Sequence, residues 1–241
     1  LNNPAIASSS STAPLPGIHP ARVNPGDLAS WDSFCAARAA WPSLQLGQTW
    51  LEAPVPQFAP GTAWFAATTS DVVVGVEFTD KDVFNPATRF NQAGFLRGDV
   101  FELFWRPARQ EPYYEIHVSP QGQILQLRFP AAQHKAPKKS ELTGEERIAK
   151  VEEGLERFTV KEPLFALRLL HVSEGERWGC VVAVPRALMA GASKGVQGED
   201  VTVSVSRYDY TRPEPRPVMS STSPHPVPWF HRSQEWTPLF L

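Results

Sequence analysis

Gly98-Asp99-Val100-Phe101-Glu102-Leu103-Phe104-Trp105-Arg106, Tyr113-Tyr114-Glu115-Ile116-His117-Val118-Ser119 and Gln123-Ile124-Leu125-Gln126-Leu127-Arg128-Phe129 are three short runs separated by turn-forming residues. Successive side chains of an extended chain point to opposite faces, so each run divides in two. In the first, Phe101, Leu103 and Trp105 oppose Val100, Glu102, Phe104 and Arg106. In the second, Tyr114, Ile116 and Val118 oppose Tyr113, Glu115, His117 and Ser119. In the third, Leu125, Leu127 and Phe129 oppose Ile124, Gln126 and Arg128. Ser119-Pro120-Gln121-Gly122 is a turn with Pro and Gly where a turn uses them. As an antiparallel meander, the runs give one plain apolar wall. The opposite face gathers Glu102, Glu115, His117, Gln126 and Arg128, with Phe104 and Tyr113 among them.

The same period extends outward. Over 71–79, Val72, Val74, Val76 and Phe78 form one apolar face. Further strands are expected over 164–170, 178–184 and 201–207. Short strands without alternating helices point to an all-β, antiparallel, jelly-roll-like β-sandwich. Two helices interrupt it. One is expected over 27–40, where Asp27 is the expected cap, Leu28, Trp31, Phe34 and Cys35 recur at helical spacing, and Pro42 stops it. The other lies in a charged insertion, 131–158, where Thr143 and Glu146 have capping-box spacing and Ile148, Val151 and Leu155 form one stripe. Residues 1–20, with a serine run and Pro14, Pro16 and Pro20, read as a flexible arm before a single domain over 21–241.

Composition narrows the function. The chain has 241 residues, enough for a substantial core, with 42% apolar and 20% charged residues and a net charge of -2. Phosphate recognition needs clustered Lys and Arg, so no nucleic-acid partner is expected, and the short basic run at 134–139 reads as a solvated loop. No apolar run approaches a membrane span. The 24 prolines mark loops rather than disorder, because apolar runs lie between them. Cys35 and Cys180 are too few for a disulfide framework or a zinc site. They read as buried thiols, with one disulfide between them left open.

A sheet face carrying carboxylates, an amide, a guanidinium and aromatics suits a sugar. Hydroxyls need both donors and acceptors, and the C–H faces of a pyranose stack on flat rings. The plainer reading of the same face is an ordinary wet surface with cross-strand ion pairs. A glycosidase using Glu102 and Glu115 as acid and base is a weaker alternative. No nucleophile elbow, P-loop or metalloprotease motif is present, which leaves the catalytic readings the weaker ones.

Gly98 to Phe104, the Tyr113–Gly122 run, Val72 to Phe78 with the acidic loop after it, the strand from Trp178 to Pro185, Ser206-Arg207-Tyr208-Asp209, and Phe230-His231-Arg232-Ser233-Gln234-Glu235-Trp236 occur in an order that resembles the family 9 carbohydrate-binding modules. The likeness covers roughly 45–241, without the insertion. It implies a β-sandwich, a non-catalytic role, an extracellular or periplasmic location, and structural calcium. Two tryptophans sandwich the sugar in that family; here the matching positions carry Phe95-Leu96 and Trp229-Phe230. The family's sugar-gripping glutamate matches Glu102, while its arginine and asparagine fall at Glu115 and His117. With Arg128, these make the expected sugar contacts. Asp80, Asp82 and Asp99, with Asn85 nearby, are the expected oxygen donors for calcium. The resemblance leaves two rivals. One is a structural accessory domain of a glycan-processing protein. The other is a haem-binding relative, for which Met189, Met219, His117 and His231 are the available axial ligands.

Overall fold

The computed structural model describes residues 17–108, 110–131, 144–173, 176–191 and 201–241. In chain order the first strands are β1 (Ala21–Arg22), β2 (Ser43–Gln45), β3 (Gly61–Ala67), β4 (Asp71–Thr79), β5 (Val100–Pro107) and β6 (Tyr113–Val118). They are followed by β7 (Ile124–Phe129), β8 (Ala166–Ser173), β9 (Arg177–Pro185), β10 (Val201–Asp209), β11 (Val218–Ser221) and β12 (Thr237–Leu239). Three helices accompany them: α1 (Trp31–Ala37), α2 (Gly144–Glu156) and the five-residue α3 (Arg186–Ala190).

The strands form two sheets. The first runs β1-β3-β4-β9-β8 with β2 beside β3, and the second runs β11-β10-β5-β6-β7 with β12 beside β10. The pairings are antiparallel except the short β1–β3 contact. The sandwich and both helices therefore match the expected architecture. The expected capping box of α2 lies partly outside the described residues, and the basic run at 134–139 lies wholly outside them.

The main core fills the space between the sheets. Val72, Val74, Val76 and Phe78 of β4 and Trp178, Cys180, Val182 and Val184 of β9 meet Phe101, Leu103, Trp105, Ile116 and Val118 of the second sheet. The outer face of the first sheet is also closed. Ser30, not Asp27, caps α1, because its hydroxyl accepts the Ser33 N–H at 3.1 Å. Asp27 instead accepts the Asn24 N–H in the preceding 3-10 turn. So placed, α1 lays Phe34 among Trp41, Ala66, Val73, Val181 and Ala183. Glycines make the close approach possible: a Cβ at Gly75 would stand 2.4 Å from the Phe34 ring. One at Gly179 would stand 2.3 Å from the Val76 carbonyl and 2.6 Å from the Trp31 ring. Cys35 and Cys180 are both free thiols. Cys180 points into the inter-sheet core while Cys35 packs in the outer layer, so the sheet separates them and the open disulfide is not formed.

The chain enters and leaves the fold at one place. The Ile18 N–H donates to the Pro238 carbonyl at 2.8 Å, the Phe240 N–H donates to the Ile18 carbonyl at 2.9 Å, and Phe240 stacks on His19. Ile18 is itself buried, and residues 1–16 of the expected arm lie outside the described residues.

Gly179→Ala is expected to cost about 2–3 kcal/mol, because a fixed backbone carbonyl has no way to yield to the new methyl. Gly26→Ala, with open space around it, should stay within about 0.5 kcal/mol of the parent. Urea unfolding of the two variants checks the contrast.

Candidate functional site

The outer face of the second sheet is built in rows across the strands. One row runs Ser206, Glu102, His117, Leu125, and the next runs Ser204, Phe104, Glu115, Leu127. Glu102, Glu115 and His117 therefore share a face, as expected. The division of β7 is reversed. Leu125, Leu127 and Phe129 lie on the Glu102 face, while Gln126 and Arg128 lie opposite Ile116 and Tyr114 on the other face. Arg128 is exposed there, 6.0 Å from the Tyr114 ring. Gln126 is buried on that side, where its Oε1 accepts the Leu164 N–H at 2.7 Å.

This face is not wet. Phe104, Tyr113, Leu125, Leu127 and Phe129 form a second hydrophobic cluster with Phe230 and Trp236 from the chain that crosses back over the sheet. Trp236 donates its indole N–H to the Phe230 carbonyl at 2.9 Å, which locks the crossing segment to itself. Leu155 and Phe158, from α2 and just after it, close another side. Glu152 of α2 accepts the Ala93 N–H at 3.2 Å and so fixes the turn that carries Phe95. Phe230 is thus a core residue. Phe95 and Trp229 are half-exposed; Phe95 stands edge-on to His117 and to Tyr208, and Trp229 rests against His231 at 4.3 Å.

Beneath this cover sits a polar cluster only 1–3% exposed. His117 Nε2 lies 2.5 Å from Glu115 Oε1 and 3.4 Å from Glu102 Oε1. His231 Nδ1 lies 3.5 Å from Glu115 Oε2 and shares a hydrogen bond of 2.7 Å with the Tyr113 hydroxyl. Burial, with the neighbouring Glu115 charge, pushes Glu102 well above the carboxylate range. Burial also acts to raise Glu115, but His231 and the hydrogen bond from His117 outweigh it and hold Glu115 low. Glu102 Oε2, Glu115 Oε2 and His117 Nδ1 are sealed from solvent without a hydrogen-bond partner among the described residues.

A second polar cluster lies where β4, β5 and β10 end. Asp80, Asp99 and Asp209 present oxygens within 4.8 Å of one another. Arg207 reaches Asp80 at 2.9 Å and Asp209 at 3.1 Å. Asp99 accepts the backbone N–H groups of Phe84 and Tyr210, both at 2.7 Å. Burial, reinforced by Asp80, pushes Asp99 up to about 8, and burial takes Asp209 to about 6. Of the expected metal donors, Asp82 turns away to pair with Arg212, and Asn85 spends its amide on the Gly94 and Asp99 carbonyls. Asp209 takes a place in the cluster that sequence reading had not assigned. Its two-residue spacing from Arg207 on one strand was the available signal. Each of the two clusters has the geometry to chelate a divalent cation.

An open groove of about 640 Å³ lies beside the covered face. Its walls include Trp50, Gln57, Arg216, Met219 and Pro228, the residue before Trp229. Of the sulfur ligands considered for haem, Met189 is buried between the sheets, on the other side from His117, while Met219 faces this groove.

No family model matches the chain, and no curated protein matches it. Solved structures do. A putative carbohydrate-binding protein from Bacteroides uniformis is 16% identical, with a TM-score of 0.62 over 92% of this chain and 97% of its own. A family 9 carbohydrate-binding module from Caldicellulosiruptor kristjanssonii, in complex with cellotriose, is 8% identical at a TM-score of 0.56, covering 93% of this chain and 92% of its own. The same organism's family 9 module with glucose is 6% identical at 0.55, covering 93% and 94%. At these identities the likeness is one of fold, and that fold is shared with carbohydrate-binding modules. Among the described residues, no helix is long and apolar enough to cross a membrane.

His225, at the start of the crossing segment, supplies a pH test. Burial lowers its pKa, and the hydrogen bond from Nδ1 to Glu235 at 2.7 Å only partly offsets this. The unfolded chain takes up a proton near pH 6.5 while the folded one does not. Stability should therefore fall as pH drops below about 6.5 and level off below the folded-state value. His225→Asn keeps a donor toward Glu235 but cannot titrate. Melting curves from pH 8 to 5 should show a shallower slope for this variant.

Proposed function

We propose that this chain is a non-catalytic carbohydrate-binding module of the family 9 type. The observation that carries the reading is an open groove whose wall holds a tryptophan, Trp50, with the half-exposed Trp229 next in sequence to the lining residue Pro228. Flat rings offer a pyranose its stacking surface at small entropic cost, because they have few rotatable bonds. Gln57, Glu214 and Arg216 along the same groove give both donors and acceptors for hydroxyls. The groove's size suits a sugar of one to a few units. The sugars held by the structural neighbours, cellotriose and glucose, are the first ligands to try.

Within this proposal Phe95, which stands edge-on to His117, is a second aromatic surface; Glu102, Glu115 and His117 are sealed beneath the covered face, so a hydroxyl reaches them only if that cover shifts. A glycan ligand fits an extracellular or periplasmic location. Calcium is proposed at Asp80, Asp99 and Asp209, since an all-carboxylate donor set is hard and Arg207, which pairs with Asp80 and Asp209, brings a single positive charge to three acidic groups.

Calorimetry with cellotriose and glucose tests the sugar reading. Trp229→Ala should weaken binding at least tenfold while leaving the fold intact, because the side chain is half-exposed. A folded parent protein that binds neither sugar nor any member of a broad glycan panel sinks the proposal. For calcium, added CaCl2 should raise the melting temperature of the chelator-treated parent but not of Asp209→Asn.

A further inference from the structure

The two buried clusters differ in one respect that separates their chemistry. Asp80, Asp99 and Asp209 have a guanidinium among them and two backbone donors on Asp99. Glu102, Glu115 and His117 have no Lys or Arg paired with them among the described residues. Two carboxylate oxygens, Glu102 Oε1 and Glu115 Oε1, therefore converge on His117 Nε2. Only Glu115 Oε1 accepts a close bond, from His117 Nε2 at 2.5 Å. Glu102 Oε2 and Glu115 Oε2 are sealed and accept no hydrogen bond from the described residues. Each unsatisfied buried oxygen costs on the order of 1–3 kcal/mol, more when charged, so a closed pocket rich in acceptors and poor in donors calls for a cation.

We propose that Glu102, Glu115 and His117 form a binding site for a divalent transition-metal ion, with zinc as the reference ion. One donor atom from each residue lies within 4.8 Å of the others, close enough for a single ion to draw all three to bonding distance. An imidazole beside two carboxylates favours zinc, manganese or iron over calcium, which prefers oxygen donors alone. Three protein ligands leave a fourth position for water or a ligand oxygen. His231 is a positioning residue. It stands 3.5 Å from the second oxygen of Glu115 and is held by the Tyr113 hydroxyl, the arrangement by which outer partners orient a metal-bound carboxylate. Because His231 belongs to the segment that crosses the sheet, ion binding and closure of that segment are linked. The proposal does not depend on sugar binding, since neither Trp50 nor Trp229 is a ligand.

The test begins with full-length protein dialysed against chelator and titrated with ZnCl2 in a calorimeter. One equivalent should bind per chain. At a hundredfold excess over Kd the melting temperature should rise by roughly 5–10 °C. Glu115→Gln should abolish the binding, and His231→Gln should weaken it about 10–100-fold. Asp209→Asn, in the other cluster, should leave zinc affinity unchanged. Circular dichroism checks that each variant folds. Should Glu115→Gln not fold, Co2+ added to the parent protein decides: visible d–d bands of a low-coordinate site support the assignment, and their absence overturns it. Zinc affinity that is the same in Glu102→Gln and His117→Gln as in the parent also overturns it, as does the absence of any one-to-one zinc binding.

Discussion

The packing of Phe230 and Trp236 onto Phe104 and Tyr113 is the contact on which the character of this molecule depends. A sheet in a sandwich ordinarily has one dry face and one wet one. Here the crossing segment and the inserted helix dry the second face as well. The carboxylates and histidines on it are consequently interior groups, and their charges are set by one another rather than by water. Removing that cover would change the meaning of Glu102 and Glu115 from buried acid and buried base to ordinary surface carboxylates.

The seven longer strands between 71 and 209 and the β5–β6–β7 meander were legible because alternation of period two survives wherever one face is apolar; β1, β2, β3, β11 and β12 and the sheet order were not. The face of β7 was not, and the reason is physical. Both faces of the second sheet are hydrophobic in part, so apolarity alone does not say which side Leu125, Leu127 and Phe129 take. Parity across the hairpin does. Val118 pairs with Ile124 around five intervening residues, so even positions on both strands share a face. Counting through Ser119-Pro120-Gln121-Gly122-Gln123 would have placed Arg128 away from Glu102. Hydrophobic grouping overrode that count.

Local chemistry misled in a smaller way at α1, where Asp27 and Ser30 both have cap chemistry and only the three-dimensional entry angle selects Ser30. The acidic loop shows the opposite limit. Asp80, Asp82 and Asp99 are close in sequence, yet Asp82 is drawn off by Arg212, and its place is filled from β10. Convergence from remote strands leaves little local trace. The pairing of Glu102 with His117, by contrast, was legible from strand alternation alone, because the two positions lie opposite each other on adjacent strands.

The juxtaposition of Ile18 with Pro238 and Phe240 has a consequence for how such a unit is used. A polypeptide that enters at one and exits at the other has travelled almost nowhere in space. The fold behaves as a plug with both leads at the same socket. It can be spliced into a surface turn of another protein without prising that turn apart, and its groove would then project from the host as an appendage.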